Sequence, residues 1–144
     1  MAELKTNVKA VWNGGTAGDG TLKAGNLDTK IAIPKFLNGS GNGAGPKELL
    51  VSSATTCYIA TLTSILENRK LPVVEHTITS EAIKSDQEFS ITHYPVIVLS
   101  ADATEADVKS AERAIEGADR ACEVGNLLKK AGIVIEAKGK VSLK

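Results

Sequence analysis

PKELLVSSATTCYIATLTSILEN, residues Pro46 to Asn68, contains no glycine and no proline after its first position. Proline suits the first turn of a helix. Arg69 and Lys70 follow the run, where positive charge complements a helix C-terminus. At ~1.5 Å per residue the segment would be a helix about 34 Å long. Leu50, Ala54, Cys57, Thr61 and Ile65 share one stripe, Leu49, Tyr58, Leu62 and Leu66 widen it, and charge occurs only at the two ends. A helix apolar or small most of the way round is a buried one. This segment is therefore expected to be the central helix, with Cys57 midway along it.

The flanks read as strands and shorter helices. Over residues 4–12, Leu4, Thr6, Val8, Ala10 and Trp12 fall on one parity and Lys5, Asn7 and Lys9 on the other, the pattern of a strand with one wet face. Two more strands are expected at 21–27 and 29–33, turning at Gly25-Asn26, with Pro34 closing the third. Residues 38–45, NGSGNGAG, match no phosphate-binding pattern and read as a mobile surface loop. Beyond the helix, 73–83 and 88–100 read as long strands joined at Ser85-Asp86-Gln87. Continuously apolar Val96-Ile97-Val98-Leu99 implies cover on both faces. Thr104 with Asp107 is a capping-box variant opening a helix that should end near Gly117. A short helix carrying Cys122, Val124, Leu127 and Leu128 should stop at Gly132, and 133–143 should close as a strand. The expected class is α+β, in the order βββαββααβ, as one domain over residues 1–144.

Composition narrows the function classes. The 144 residues carry 17 Lys+Arg and 17 Asp+Glu, a balance that gives no electrostatic footprint for nucleic acid or an anionic membrane. No apolar run is expected to reach the ~20 residues that span a bilayer. The N-terminus lacks an apolar signal-peptide core, so a cytosolic location is expected.

Two cysteines, Cys57 and Cys122, lie 65 positions apart without CxxC or CxxH spacing. That leaves either two inert packed thiols or one redox pair. Cys122 falls at the start of the last short helix after Asp119 and Arg120, where free N–H groups and the Arg120 cation favour a thiolate. Cys57 is internal to its helix, so any activation must come from elsewhere in the fold. His76 and His93 have no partner at metal-ligand spacing and read as surface or half-buried strand residues; no metal site is expected.

Three pieces follow in order: GGTAGDGTLKAGNLDTKIAIPKFLNGSGNGAGPKELL, PKELLVSSATTCY with its Pro-to-Cys distance of eleven positions, and ADRACEVGN. Together they resemble the organic hydroperoxide resistance / osmotically inducible protein C family of thiol peroxidases. The resemblance implies an intertwined homodimer with sheets wrapped around paired central helices. It implies Cys57 as the peroxidatic thiol and Cys122 as the resolving thiol, acting on organic hydroperoxides. No bound cofactor is implied; an external dithiol, of lipoyl type or on a lipoylated protein, reopens the disulfide.

Two family features are absent. The Arg that follows the first Gly-Gly is replaced by Thr16, and the Glu after the proline by Lys47, with Glu48 next to it. At about 100° per residue, Glu48 lies about 180° round the helix from Cys57 and Lys47 about 80°. The pair is either rewired, with Lys47 as cation and Thr16 as hydroxyl contact, or lost. In the latter case the chain is a stress protein or small-ligand binder with weak or no peroxidase activity.

Overall fold

The structure is a computed structural model describing residues 3–144. The chain packs as two compact units, one ending at Leu50 and the other starting at Val51.

In the first unit β1 (Lys9–Asn13), β2 (Asp19–Ala24) and β3 (Leu27–Ile31) form an antiparallel sheet in that order. Pairing of Ala24 with Leu27 puts Gly25-Asn26 in the expected turn. The first strand is shorter than its alternation suggested, because residues 3–8 pair with no described strand. All five of its residues are exposed.

The glycine-rich stretch departs from expectation. Gly39 donates to the Pro34 carbonyl, Gly41 to that of Ile33 and Ala44 to that of Lys30, while Ser40 Oγ donates to the Gly18 carbonyl at 3.1 Å. A Cβ at Gly39 would lie 1.9 Å from the Ile33 oxygen. The glycines let the segment fold tightly back on itself, and it is a pinned loop, not a mobile one.

Helix α1 (Pro46–Asn68) has the expected bounds. Its buried side chains are Ala54, Tyr58, Leu62 and Leu66, and Cys57 and Ile65 pack beside them. The rest of its surface is less covered than expected: Ser52, Ser53, Thr56, Ala60, Thr63 and Ser64 are exposed. Contrary to expectation, α1 is long and apolar enough to cross a membrane by length and composition, with a mean hydropathy of 1.6 over 18 residues. Here its apolar stripe fills a protein core.

That core belongs to the second unit. Strand β4 (Val73–Lys84) pairs antiparallel with β5 (Phe89–Leu99), with a register irregularity between Val73 and Glu75. Alternate residues of β5, from Ile91 through His93, Pro95 and Ile97 to Leu99, are buried. Val96 and Val98 are half-buried, so the second face is covered only in part.

Helix α2 (Glu105–Ala121) adds Ala111, Ala114, Ile115 and Ala118 to the core. Its capping box is present: Asp107 N–H donates to Thr104 Oγ1 at 3.1 Å and Thr104 N–H to Asp107 Oδ2 at 3.0 Å. Gly117 does not stop the helix. A Cβ there would make only ordinary contact, 3.8 Å from Ile65 Cδ1, and α2 runs on through it to Ala121.

After α3 (Glu123–Lys130) come two strands where one was expected, β6 (Val134–Ala137) and β7 (Lys140–Leu143), both parallel to β5. Pro95, which has no N–H for the ladder, lies against the break, where a Cβ on Gly139 would meet it at 2.6 Å.

Candidate functional site

Cys122 is the single residue between α2 and α3, with an extended backbone (φ −67°, ψ 111°) and 2 % exposure. The bend is clamped by Asn126, whose backbone N–H donates to the Cys122 carbonyl and whose Nδ2 donates to the Arg120 carbonyl, each at 2.9 Å. Gly125 packs tightly here, since a Cβ would come 3.3 Å from Cys122 Sγ and one of the two would have to shift by a few tenths of an ångström. The bend brings the start of α3 against Cys57, half-buried on α1.

Burial alone would push the Cys57 thiol up. Four donors outweigh it and hold it below the usual thiol value: the Val124 N–H, the Cys122 thiol, the Thr61 hydroxyl and the Glu123 N–H. Cys122 moves the other way. Burial pushes it up to about 11, the Gly125 N–H opposes in part, and Cys57 and Asp119 add to the rise. The two thiols are thus near neighbours, with the first favoured to ionise and the second to keep its proton.

This reverses one expectation. The first N–H groups of a helix point out along its axis, and at α3 those of Glu123 and Val124 reach Cys57 instead of stabilising Cys122. Arg120 is exposed and is not among the groups acting on either thiol; the charged neighbour of Cys122 is Asp119, which disfavours ionisation. Asp119 is itself paired with Lys129 at 3.2 Å.

Beneath the thiols lies a polar network that the sequence reading missed. Tyr58 donates to the Ile115 carbonyl at 2.8 Å, and its ring stacks on His93 with centroids 4.7 Å apart. His93, expected at or near the surface, is 1 % exposed. Its Nδ1 is 2.7 Å from Ser80 Oγ, which in turn accepts from Thr55 Oγ1 at 2.8 Å. Burial holds the imidazole below its usual value, with Asp119 and Lys129 acting in opposite senses. His76 is half-buried, with Nε2 3.2 Å from Thr63 Oγ1.

The remaining residues singled out from sequence lie in the first unit. Thr16 is exposed in the turn between β1 and β2. Lys47 is exposed in the first turn of α1, and Glu48 Oε1 accepts the Gly45 N–H at 3.2 Å, a capping contact. Both line a pocket of about 190 Å³ with Phe36 and Leu37. Thr61 and the two N–H groups of α3 carried no local signature, because their importance comes only from what the bend at Cys122 brings near. Among the described residues, no three His, Cys, Asp or Glu side chains gather as a metal site would need.

A protein whose two cysteines meet in this way has many relatives in architecture. The structure is similar to that of an OsmC-like protein from Mycoplasma pneumoniae (TM-score 0.75, 17 % identity, 98 % of this chain and 99 % of that one). It is also similar to an organic hydroperoxide resistance protein OsmC from Legionella pneumophila (TM-score 0.68, 19 % identity, 100 % and 99 %). In sequence it is 35 % identical over 133 residues to the uncharacterized protein YmaD of Bacillus subtilis (strain 168), covering 89 % of each. The family model for OsmC-like protein matches residues 39–138, a span that includes α1, both cysteines and the sheet between them. With that span matched and the α+β architecture shared, the chain belongs to the OsmC-like protein family.

Proposed function

We propose that this protein is a thiol-dependent peroxidase that reduces organic hydroperoxides in oxidative stress defence. The observation that carries the reading is the pair of neighbouring thiols whose proton affinities are driven apart. The Cys57 thiolate attacks the terminal oxygen of ROOH and the O–O bond breaks. Cys57 becomes a sulfenic acid, and the alkoxide takes a proton from solvent and leaves as ROH. The Cys122 thiol then attacks the sulfenic sulfur, forming the disulfide and releasing water. Thiolate exchange with an external dithiol, of the lipoyl type, returns both cysteines to thiols and carries the two electrons away as the oxidised dithiol. Cys57 packs against the aliphatic core cluster, which suits a peroxide with an organic substituent over hydrogen peroxide.

The working form is a homodimer. The exposed surface of α1 supports this, as does the β4 edge facing away from β5, which is unpaired among the described residues. The name of the Legionella structure and the family membership support the hydroperoxide substrate. Cytosolic residence suits this chemistry, because thiols there are kept reduced.

The test is turnover of cumene hydroperoxide with dihydrolipoamide as reductant. The protein should consume peroxide, Cys57→Ser should abolish consumption, and Cys122→Ser should stop after one turnover with a dimedone-trappable Cys57. Consumption that survives Cys57→Ser would overturn the proposal.

A second reading is an OsmC-like stress protein or ligand binder without significant peroxidase activity, favoured by Thr16 and Lys47 where the family carries Arg and Glu. On that reading Cys57 alkylates no faster at neutral pH than a small-molecule thiol. If instead the missing pair merely limits the rate, Thr16→Arg combined with Lys47→Glu should raise peroxide consumption.

A further inference from the structure

Tyr58 follows Cys57 on α1, is fully buried, and donates its hydroxyl proton to the Ile115 carbonyl of α2 at 2.8 Å. A buried phenol needs a partner, but the carbonyl does not need the phenol. Ile115 lies inside α2, where its oxygen already accepts the N–H four residues on. The bond therefore adds a tie between two helices and rescues no orphaned carbonyl.

The place of this tie in the fold gives it a use. One end is a single residue from Cys57. The other is seven positions before Cys122, about two turns at ~3.6 residues each, so Ile115 and Cys122 share one side of α2. Cys122 belongs to the same buried cluster as Tyr58, and Cys57 packs against that cluster. The phenol ring is itself held, stacked on His93 of β5 with centroids 4.7 Å apart and planes at 23°. His93 is fixed in turn by Ser80 of β4 at 2.7 Å, and Ser80 by Thr55 of α1 at 2.8 Å. Ring and hydroxyl together set where α1 stands against the sheet and against α2. A second tie, from Arg69 Nη1 just past α1 to the Ser110 carbonyl at 2.8 Å, is exposed and lies twelve positions beyond Cys57.

We propose that Tyr58 is a positioning residue for disulfide closure, its bond to the Ile115 carbonyl keeping α1 from sliding along α2 and so holding Cys57 within reach of Cys122. A disulfide tolerates a narrow range of geometry, with Cα atoms roughly 4.4–6.8 Å apart. A misplacement of about 1 Å costs a positioned reaction as much as ~100-fold in rate. In the closing step the Cys122 sulfur attacks the Cys57 sulfur and the S–S bond forms. The S–O bond of the sulfenic acid breaks, and its hydroxide leaves as water with the proton of Cys122. The earlier attack on the peroxide uses Cys57 alone and does not depend on the tie. The inference deepens the peroxidase reading and rests on Cys122 as the resolving thiol.

The experiment mixes the reduced full-length protein with excess dithiobis(nitrobenzoate), an aromatic disulfide, and follows the coloured thionitrobenzoate released. The Cys57 thiolate attacks the reagent and releases the first thionitrobenzoate at a rate proportional to reagent concentration. Cys122 then gives its proton to solvent and displaces the second from the mixed disulfide on Cys57, at a rate independent of reagent. Tyr58→Phe keeps the stacked ring and loses the tie. It should slow the second release about fivefold or more and leave the first within about twofold. Tyr58→Leu is a second hydroxyl-free variant in case the phenylalanine protein does not fold, and it should slow the same step. Leu66→Ala loosens a buried site on α1 away from the tie and should leave both releases at the wild-type rate. A second release that is not slowed in the hydroxyl-free variants, or that Leu66→Ala slows as much, would overturn the proposal; so would equal slowing of the first release. The assay consumes no peroxide, so its outcome is independent of turnover. Slowed closure without peroxide reduction rejects only the reaction, and peroxide reduction with unslowed closure rejects only the role of Tyr58.

Discussion

At the scale of single residues, the chemistry turns on how two like groups acquire unlike proton affinities. Cys57 is lowered by donors and Cys122 is raised by burial beside Asp119. Because the donors to Cys57 are neutral, its alkylation midpoint should barely move between low and molar salt, whereas a thiolate held by an exposed cation would titrate upward as the cation is screened. A large upward movement would mean that a charge missing from this account does the work. Removing the Cys122 donor should also raise the Cys57 midpoint, which alkylation of Cys122→Ala would show. Cys57 and Cys122 were visible in the sequence as candidates, yet the direction of their difference was not. The start of α3 was recognisable, but a helix terminus acts on whatever lies along its axis, and only the bend at Cys122 determines that this is Cys57. His93 was misread for a related reason. Its strand neighbours are polar enough to suggest a wet face, while Ser80 and the Tyr58 ring, which make its burial tolerable, come from distant positions.

At the scale of elements, long uninterrupted patterns were the most legible. The bounds of α1, the hairpin at Ser85-Asp86-Gln87 and the capping box at Thr104 all follow from local rules. The failures lie where tertiary packing reinterprets a residue. Gly117 reads as a stop but the helix, packed through its buried alanines, runs on past it, and Gly139 with Pro95 splits an apparently single last strand. Thr104→Ala removes one half of the capping box and should cost about 1 kcal/mol, measured by urea denaturation. Leu62→Ala, at a fully buried site on α1, should cost about 2–5 kcal/mol by the same measurement. Equal losses at the two sites would contradict the assignment of Leu62 to the core and Thr104 to an exposed helix end.

At the scale of the whole molecule, titration of buried groups should shape stability against pH. His93 has a lowered value in the folded chain, so the unfolded state binds its proton first as pH falls. Its contribution is present above about 6.5 and is lost as pH falls through the folded value. Cys122 has the opposite sign: its contribution is complete below the ordinary thiol value of 9.0 and is lost as pH rises towards about 11. Urea midpoints of the reduced protein should therefore decline on both sides of a neutral plateau, and Cys122→Ala should flatten the alkaline side. A wild-type alkaline decline that Cys122→Ala leaves intact would show that other groups cause it. The proposed dimer belongs to this scale as well. Sedimentation should give a single species of twice the chain mass, and a monomer would leave the exposed face of α1 unexplained.

The most direct measurement is the intact mass of reduced protein after a brief exposure to a small excess of cumene hydroperoxide. The account predicts the loss of two hydrogen atoms and of both free thiols, with one bond joining the Cys57 and Cys122 peptides. Protein that keeps its mass and both thiols under a tenfold excess would contradict it.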